Sequence, residues 1–305
     1  MKTLLLAAAA ALAISVPATA AEPATASQTV QEPVAVHDHI RTTLHGTSGP
    51  VVVLIPGMST PGAMWDDHVA QLSGTHRVLV VELRGFDGER GTANEAEGAL
   101  DGTVREIAAD LTARNLGPAT VSGHSLGGLI ALKLALEHPE ATAKLLVVDA
   151  LPFFGTVFDS AMTLDKVQPQ AVQMRDMIIA GADAMREAGR SNTPTAEGAR
   201  GMSVRPDNAV KIAGWALRAE PLAVARLVYE DTMTDLRQDI ARIAIPVTVL
   251  HMATGAHKAI AVERYATDYA ALPGVTMVPV DDTGHFVQLD QPEAFQRELR
   301  ALTGR

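Results

Sequence analysis

The 305-residue sequence contains no cysteine, and this absence removes several kinds of chemistry at once. Without thiols the chain has no disulfides, no thiolate metal ligands and no cysteine nucleophile. Basic residues are also outnumbered, because 25 Lys and Arg face 35 Asp and Glu, for a formal net charge of −10. Proteins that bind nucleic acid through its phosphates need a basic surface. The sequence therefore predicts no nucleic-acid partner, and solubility is the simplest role of the negative charge.

Long hydrophobic runs are scarce too, and the one near the N-terminus is short. It covers residues 4–16, is broken by Pro17, and is followed by Ala18-Thr19-Ala20, the small-residue pattern that signal peptidases cleave. The run is shorter than the ~20 residues that span a bilayer. We therefore predict no stable membrane anchor, export to the periplasm or medium, a signal peptide over residues 1–20 and a disordered leader over 21–33.

The rest of the chain alternates short apolar runs with amphipathic segments. The apolar runs predict strands that are buried on both faces of a sheet, at 51–55, 78–82, 119–123, 145–149, 247–251 and 275–280. A further strand pair is expected within 34–46. The segments between the strands predict helices over 62–72, 101–115, 126–138, 262–272 and 292–302. This alternation predicts an α/β fold with a mostly parallel, doubly wound sheet.

The alternation stops between residues 152 and 240, where no strand-like run occurs. Segments such as AVQMRDMIIAGADAMREAG have a helical period instead. We predict a helical insertion over 152–240 that lies over the sheet and separates two parts of one core, residues 34–151 and 241–305. Within the insertion, SNTPTAEGARG at 191–201 is predicted to be the mobile link.

Residues 121–136, VSGHSLGGLIALKLAL, place a serine where a strand becomes a helix. The segment Gly123-His124-Ser125-Leu126-Gly127 has the form G-x-S-x-G. So tight a turn strains the backbone of the serine and needs small residues two positions away on either side. Ser125 would then lie at the carboxyl edge of the sheet and at a helix N-terminus, where N–H groups face developing negative charge.

Several segments together resemble the α/β-hydrolase family. GHSLGG resembles its nucleophile elbow, and LIPGM at 54–58 resembles its loop after the third strand. Gly284-His285-Phe286, with QPEAF at 291–295, resembles its catalytic-histidine loop and last helix. The resemblance covers residues 45–151 and 241–305, and the insertion lies where the family carries a helical cap, after the sixth strand. It implies the serine hydrolase branch, which requires no metal and no organic cofactor.

The resemblance implies roles for individual residues. Ser125 would be the nucleophile and His285 its base, since a serine hydroxyl needs a base within hydrogen-bond reach. The competing bases among the ten histidines are His251 and His257. The backbone N–H groups of Met58 and Leu126 would form the oxyanion hole. Substrate contacts are predicted at Gly57, His124, Phe153, Phe154 and Phe158, although the phenylalanines are equally suited to packing the insertion on the core.

The triad acid departs from the family's commonest pattern. The loop after the strand that follows the insertion, HMATGAHKAI at 251–260, contains no Asp or Glu. The family's alternative position follows the strand before the cap, where this chain has Asp149. We therefore predict a triad in the chain order serine, acid, histidine. The alternatives are a Ser–His dyad or one of the acids Asp231, Asp235, Glu263, Asp281 and Asp282.

The predicted function is a secreted serine hydrolase that cleaves a small or medium acyl ester, or a related carbonyl substrate, through an acyl-enzyme. A lactonase, thioesterase, carbon–carbon bond hydrolase or cofactor-free perhydrolase is compatible with the same residues. Alternatives of another class are a ligand-binding, receptor-like protein and an inactive scaffold of the same fold. The expected partner is a small-molecule substrate, and the sequence sets no oligomeric state.

Overall fold

The computed structural model of the protein describes residues 34–255 and 258–304. The predicted signal peptide, the predicted leader and His257 therefore lie outside the described residues. Eight strands form one sheet, with these bounds: β1 Ala35–Val36, β2 Ile40–His45, β3 Val51–Ile55, β4 Arg77–Leu83, β5 Ala119–His124, β6 Thr142–Val148, β7 Val247–Met252 and β8 Thr276–Val280.

The sheet has the strand order β1-β2-β4-β3-β5-β6-β7-β8. β1 pairs with β2, and β2 with β4, in antiparallel fashion. All other neighbours are parallel. Each of the six predicted apolar runs is a strand, and the predicted pair within 34–46 forms the antiparallel edge. The mostly parallel α/β fold is therefore confirmed.

Helices cover both faces of this sheet. Their bounds are α1 Asp66–Leu72, α2 Ala99–Ala113, α3 Leu126–Glu137, α4 Leu164–Ser191, α5 Pro206–Arg218, α6 Pro221–Thr232, α7 Lys258–Asp268, α8 Val287–Asp290 and α9 Pro292–Thr303. Alternate residues of β3 enter two cores, one under α2 and α3 and the other under α1 and α9. A strand between two such cores is apolar at every position, which explains the continuous runs.

One predicted helix is displaced along the chain. The helix expected over 262–272 begins at Lys258 and ends at Asp268. Tyr269 and Leu272, which extend the apolar pattern of the sequence beyond Asp268, are buried in the turns that follow the helix. Their burial gives the sequence a helical period that the backbone does not have.

The helical insertion lies between β6 and β7 and consists mainly of α4, α5 and α6. α4 packs along α6 and also contacts α5. The segment predicted to be mobile contains a short 3₁₀ helix, Ala196–Ala199, that packs against α5. Across residues 34–255 and 258–304, no helix combines the length and the apolarity that crossing a membrane requires.

Candidate active site

Ser125 occupies a sharp turn between β5 and α3, as the sequence predicts. Its backbone angles are φ 53° and ψ −123°, a strained conformation for a residue with a side chain. The turn is held by a hydrogen bond of 2.9 Å from the Ser125 N–H to the carbonyl of Val148 at the end of β6. Because the surrounding contacts fix this conformation, the serine stands at the carboxyl edge of the sheet.

Glycines make the turn possible by allowing backbones to approach closely. A Cβ atom on Gly123 would lie 2.0 Å from the carbonyl oxygen of Gly127, and one on Gly127 would lie 2.4 Å from that of Ile55. Gly57 is confined in the same way, since its Cβ would lie 2.7 Å from Nδ1 of His124. The need for small residues on both sides of the serine is confirmed.

The loop that carries Gly57 and Met58 lies against this turn. The N–H and the hydroxyl of Thr60 both donate to the Gly57 carbonyl, at 3.3 and 2.7 Å, which closes the loop on itself. The N–H groups of Met58 and Leu126 have no acceptor among the residues that the structure describes. Two unused backbone donors therefore flank Ser125, at the positions where the sequence predicts an oxyanion hole.

Asp149 follows directly after β6, with a positive φ of 45°. Its Oδ2 lies 2.6 Å from Nδ1 of His285. Its Oδ1 accepts two hydrogen bonds, from the Met252 N–H at 2.8 Å and from the Tyr265 hydroxyl at 3.0 Å. The carboxylate is only 6% exposed, so these three donors account for both of its oxygens. Hydrogen bonds of this kind hold a carboxylate in one orientation.

The loop that presents His285 is fixed by a residue that the sequence reasoning missed. The buried carboxylate of Asp290 accepts hydrogen bonds from the N–H groups of Gly284 and Val204, both at 2.9 Å. It also bonds Ser203 and Asn208 of the insertion. One carboxylate thus ties the insertion to the histidine loop. The sequence gives only a weak indication of this role, because Asp290 is a single acid at the end of the otherwise uncharged segment FVQLD.

Ser125, Asp149 and His285 line one cavity of about 450 Å³. The Ser125 hydroxyl and His285 make no hydrogen bond with each other in this geometry, and such bonds often tighten only when a substrate is bound. Most of the remaining wall is apolar, and the insertion supplies part of it. The wall also contains two charged side chains, Asp231 and Arg264.

The competing acids are not bonded to His285. Asp281 pairs with Lys258 at 3.1 Å, Asp282 with Arg205 at 2.6 Å, and Asp235 with Arg237 at 2.6 Å. Glu263 is exposed on α7. Asp231 lines the cavity but has no hydrogen bond to His285. Among the acids of the described residues, Asp149 alone bonds the imidazole.

The competing base His251 is buried away from Ser125. Its ring stacks on Tyr265 with centroids 4.1 Å apart, and its Nδ1 lies 3.0 Å from the carbonyl oxygen of Met252. His251 is 1% exposed and is not part of the cavity wall.

Only one of the three predicted phenylalanine contacts lies in the cavity wall. Phe154 lines it, whereas Phe153 is 0% exposed and packs with Met162 under the Arg237 guanidinium, 4.6 Å from the ring centre. Phe158 is 45% exposed and packs edge-to-face on Phe154. Phe153 and Phe158 therefore do not line the cavity, because one ring is enclosed and the other lies beside the wall.

Gly57 and His124 do not line the cavity either. His124 is 0% exposed, and its ring centre lies 4.6 Å from that of His285 and 4.4 Å from that of Phe286. Its Nε2 lies 3.1 Å from the His285 carbonyl oxygen. Burial, followed by the nearby His285, lowers the pKa of His124 well below 6.5. A neutral ring behind the site supports His285, and Gly57 packs against it from the other side.

Two pKa values at the site are raised. Burial raises the pKa of Tyr265 well above 10, and the neighbouring Asp149 adds to this, so Tyr265 stays a donor. Burial also raises the pKa of Asp231 to about 7, although the nearby His285 works in the opposite direction. In the part of the chain that the structure describes, no group of three or more His, Asp or Glu could hold a metal ion.

Comparisons with known proteins agree with this architecture. A model of the alpha/beta hydrolase family matches residues 52–298. A pimeloyl-[acyl-carrier protein] methyl ester esterase of Aeromonas hydrophila is 40% identical over 106 residues, which cover 35% of this chain and 40% of the esterase. A putative carbamate hydrolase RutD of Enterobacter cloacae is 29% identical over 255 residues, or 82% of this chain and 90% of that protein.

Solved structures show the same fold at lower sequence identity. A hydrolase from Pseudomonas aeruginosa PA01 superimposes with a TM-score of 0.68 at 20% identity, covering 92% of this chain and all of that one. The enol-lactonase from Burkholderia xenovorans LB400 gives 0.67 at 20% identity, covering 90% and 100%. The names of the methyl ester esterase and the carbamate hydrolase support hydrolase activity. With a family model matched along most of its length, the chain belongs to the α/β-hydrolase family.

Proposed function

We propose that the protein is a serine hydrolase that cleaves small or medium acyl esters, with Ser125, His285 and Asp149 as its catalytic residues. The observation that carries the proposal is the 2.6 Å contact between Asp149 and His285 in a cavity that also contains a strained serine. A dyad or an inactive scaffold would not need a buried carboxylate bonded to this imidazole. The unused N–H groups of Met58 and Leu126 add the donors that acyl transfer needs.

Each group has a defined task in this reaction. Nε2 of His285 removes the proton from Ser125, whose oxygen attacks the substrate carbonyl carbon. Asp149 accepts the hydrogen bond from Nδ1–H, which holds the reactive tautomer and stabilises the imidazolium that forms. The Met58 and Leu126 N–H groups stabilise the oxyanion of the tetrahedral intermediate. His285 then protonates the departing alcohol, and water releases the acyl group by the same steps in reverse.

The size and lining of the cavity support the substrate class. A volume of about 450 Å³ with a mostly apolar wall suits an acyl group of small or medium length. One relative carries the name of a methyl ester esterase and another that of a carbamate hydrolase. Both names denote attack on a carbonyl carbon that bears a heteroatom leaving group. Lactones and thioesters react by the same steps and belong in the same screen.

The test combines substrate turnover with covalent labelling. Nitrophenyl esters of graded acyl length, with lactones and thioesters beside them, should reveal turnover by the parent protein. A fluorophosphonate probe should label Ser125, and Ser125→Ala should lose both labelling and turnover. Ser160→Ala, which removes an exposed serine outside the cavity, is the matched control and should behave like the parent. Labelling that persists in Ser125→Ala would contradict the proposal.

Ligand binding without turnover is the other class of function, and the same screen tests it. A protein that binds esters in the cavity but neither reacts with fluorophosphonate nor hydrolyses any of them would be receptor-like.

We also propose that the protein is exported, on the pattern of residues 1–20 alone. Intact-mass analysis of protein from the periplasm or medium should then give a chain that begins near Ala21. A mature, membrane-free protein that keeps Met1 would contradict this.

A further inference from the structure

Asp231 is a carboxylate in the cavity wall that the proposed reaction does not use. It lies in the last turn of α6 and lines the same cavity as Ser125 and His285. Its side chain makes no hydrogen bond and no ion pair with any residue that the structure describes. The nearby charge that acts on it belongs to His285.

The acids nearest to Asp231 in the chain, Glu230 and Asp235, both have partners. Glu230 accepts hydrogen bonds from the N–H groups of Gly98 and Leu100, at 2.9 and 2.8 Å, and so caps the start of α2. Asp235 forms an ion pair of 2.6 Å with Arg237. These acids hold the insertion in place. Asp231 has no comparable structural role.

The position of Asp231 is unfavourable for a carboxylate. A helix C-terminus carries partial negative charge, which repels an anion. The wall around it is mostly apolar, so the ionised form also loses hydration without gaining a bond in return. Burial accordingly raises its pKa to about 7. A charged group kept in a cleft at a cost to folding is typical of a functional residue.

The other charged groups of the wall do not neutralise Asp231. Asp149 is bonded to His285 and Tyr265, as described above. Arg264, on α7, lies within electrostatic reach of the buried carboxylate of Asp268, which offsets part of its positive charge. A positive charge that pairs with Asp231 would have to come from a molecule in the cavity.

Building on the proposed function, we propose that Asp231 determines specificity and selects esters whose alcohol or acyl part carries a positive charge, such as a substituted ammonium group. The carboxylate would bind the ammonium group while the ester carbonyl lies at Ser125. Because the cation binds the ionised carboxylate, the preference for it should increase as the pH rises through about 7.

The experiment compares two esters that differ only in charge. A choline ester and the 3,3-dimethylbutyl ester of the same acid have nearly the same shape, and only the first is cationic. The quantity measured is the ratio of their kcat/KM values at pH 6 and pH 8. The parent should favour the choline ester, and more so at pH 8. Asp231→Asn should lower the ratio at pH 8 at least tenfold, since an attraction between opposite charges is lost.

A matched control separates this effect from a general loss of surface charge. Asp239→Asn removes an exposed acid that pairs with Arg242 outside the cavity, and it should keep the parental ratio. A ratio in Asp231→Asn within twofold of the parent at pH 8 would overturn the proposal. So would a parent that favours the neutral ester.

The proposal about Asp231 remains testable if the proposed function fails. If the parent hydrolyses neither these two esters nor any of the nitrophenyl esters, ester hydrolysis is contradicted, and binding can still be measured by calorimetric titration with choline and with 3,3-dimethylbutan-1-ol. The parent should bind choline more tightly than the neutral alcohol, and more tightly at pH 8 than at pH 6. Asp231→Asn should lose both differences. Equal affinities of the parent for choline and the alcohol would overturn the assignment of Asp231.

Discussion

The two sides of the cavity are built differently. On the sheet side, the carboxylate of Asp149 is buried and bonded through both oxygens, and His285 is held by its loop. On the insertion side, Asp231 has no partner among the described residues, and Phe158 is nearly half exposed beside the wall. Fully bonded groups keep one geometry, whereas unpaired groups are available to a ligand. The sheet side is therefore suited to the reaction and the insertion side to the choice of substrate.

The topology explains why the two sides differ. Parallel strands end at the same edge of the sheet, so the segments after β5, β6 and β8 bring Ser125, Asp149 and His285 together. Ser125 and Asp149 are set by backbone hydrogen bonds to Val148 and Leu250 in the neighbouring strands, whereas the loop of His285 is held by the carboxylate of Asp290. The insertion leaves the core once and returns once, and separate contacts such as those of Asp290 attach it. Its side chains can change without moving the strands.

The largest expected effect comes from replacing Asp149, on the sheet side of the cavity. Asp149→Asn keeps the shape of the side chain but favours the wrong tautomer of His285. We expect turnover to fall on the order of 10⁴-fold, by analogy with acid loss in other serine triads, which corresponds to roughly 5 kcal/mol of transition-state stabilisation. KM should change much less, since the carboxylate lies behind the histidine. Ester hydrolysis by the folded variant measures both.

Three other acids serve as controls for Asp149. Glu263→Gln, Asp281→Asn and Asp282→Asn remove carboxylates that do not contact His285, so each should stay within about tenfold of the parent. Near-parental turnover of a folded Asp149→Asn protein would eliminate the acid from the mechanism. Loss of activity in one of the controls would identify its replacement.

The second effect concerns packing within the insertion and is measured as stability. Phe153 is fully enclosed in a cluster with Met162 and Val167, so Phe153→Ala should lower the free energy of unfolding by about 3–5 kcal/mol. Phe158→Ala removes an equally large ring from a partly exposed site and should cost about 1 kcal/mol or less. Urea denaturation followed by circular dichroism measures both variants. Equal losses would mean that the two rings pack alike, contrary to the structure.

The main features of the fold could be predicted because they depend on burial. A strand between two cores is apolar at each position, so β3, with the sequence VVVLI, stands out from the sequence alone. The turn at Ser125 was predictable because the glycines around it are required by contacts between backbones. The C-terminal boundary of α7 could not be predicted in this way. Tyr269 is buried in a turn beyond the end of the helix, and a pattern of buried residues does not distinguish a turn from a helix.

At the candidate site, backbone position could be predicted more readily than side-chain environment. Asp149 and His285 follow strands whose ends meet, so topology alone brought them together. Whether a side chain faces the cavity depends on packing between distant segments. His68, for example, lies in a polar stretch of sequence but is 1% exposed, because its ring packs against Phe295. The same reason makes Phe153 a core residue and leaves Asp231 in the wall.

The third effect concerns the insertion side of the cavity, where Asp231 should make the stability of the protein depend on pH. Because the pKa of Asp231 is raised from an ordinary 3.8 to about 7, its ionisation destabilises the folded state above pH 7 and has no effect below about pH 3.8. Asp231→Asn should therefore be more stable than the parent at pH 8, on the order of 2 kcal/mol allowing for screening in the cavity. The difference should shrink as the pH falls towards 4.

Urea denaturation at pH 8 and pH 4.5 measures this difference. The exposed Asp239→Asn should stay within about 0.5 kcal/mol of the parent at both values. If Asp231→Asn is less stable than the parent at pH 8, the carboxylate has a structural partner after all, and the two sides of the cavity are alike.

The smallest expected effect comes from removing a single hydrogen bond on the sheet side of the cavity. Tyr265→Phe removes the hydroxyl that donates to Oδ1 of Asp149 but keeps the ring that stacks on His251. The carboxylate retains its bonds to Met252 and His285. One hydrogen bond to a charged group contributes about 1.5 kcal/mol or more, so turnover should fall about tenfold while KM stays nearly constant. Steady-state kinetics on one nitrophenyl ester separates the two.

Tyr269→Phe is the matched control, because it removes a hydroxyl of the same kind from a neighbouring buried ring. That hydroxyl donates to the carbonyl oxygen of Ala150 at 2.8 Å and not to the triad acid. Both variants should therefore lose similar stability, and only Tyr265→Phe should lose turnover. A Tyr269→Phe protein that loses as much turnover would show that catalysis depends on the rigidity of the whole strand end. If neither variant loses turnover, Met252 and His285 alone are sufficient to orient Asp149.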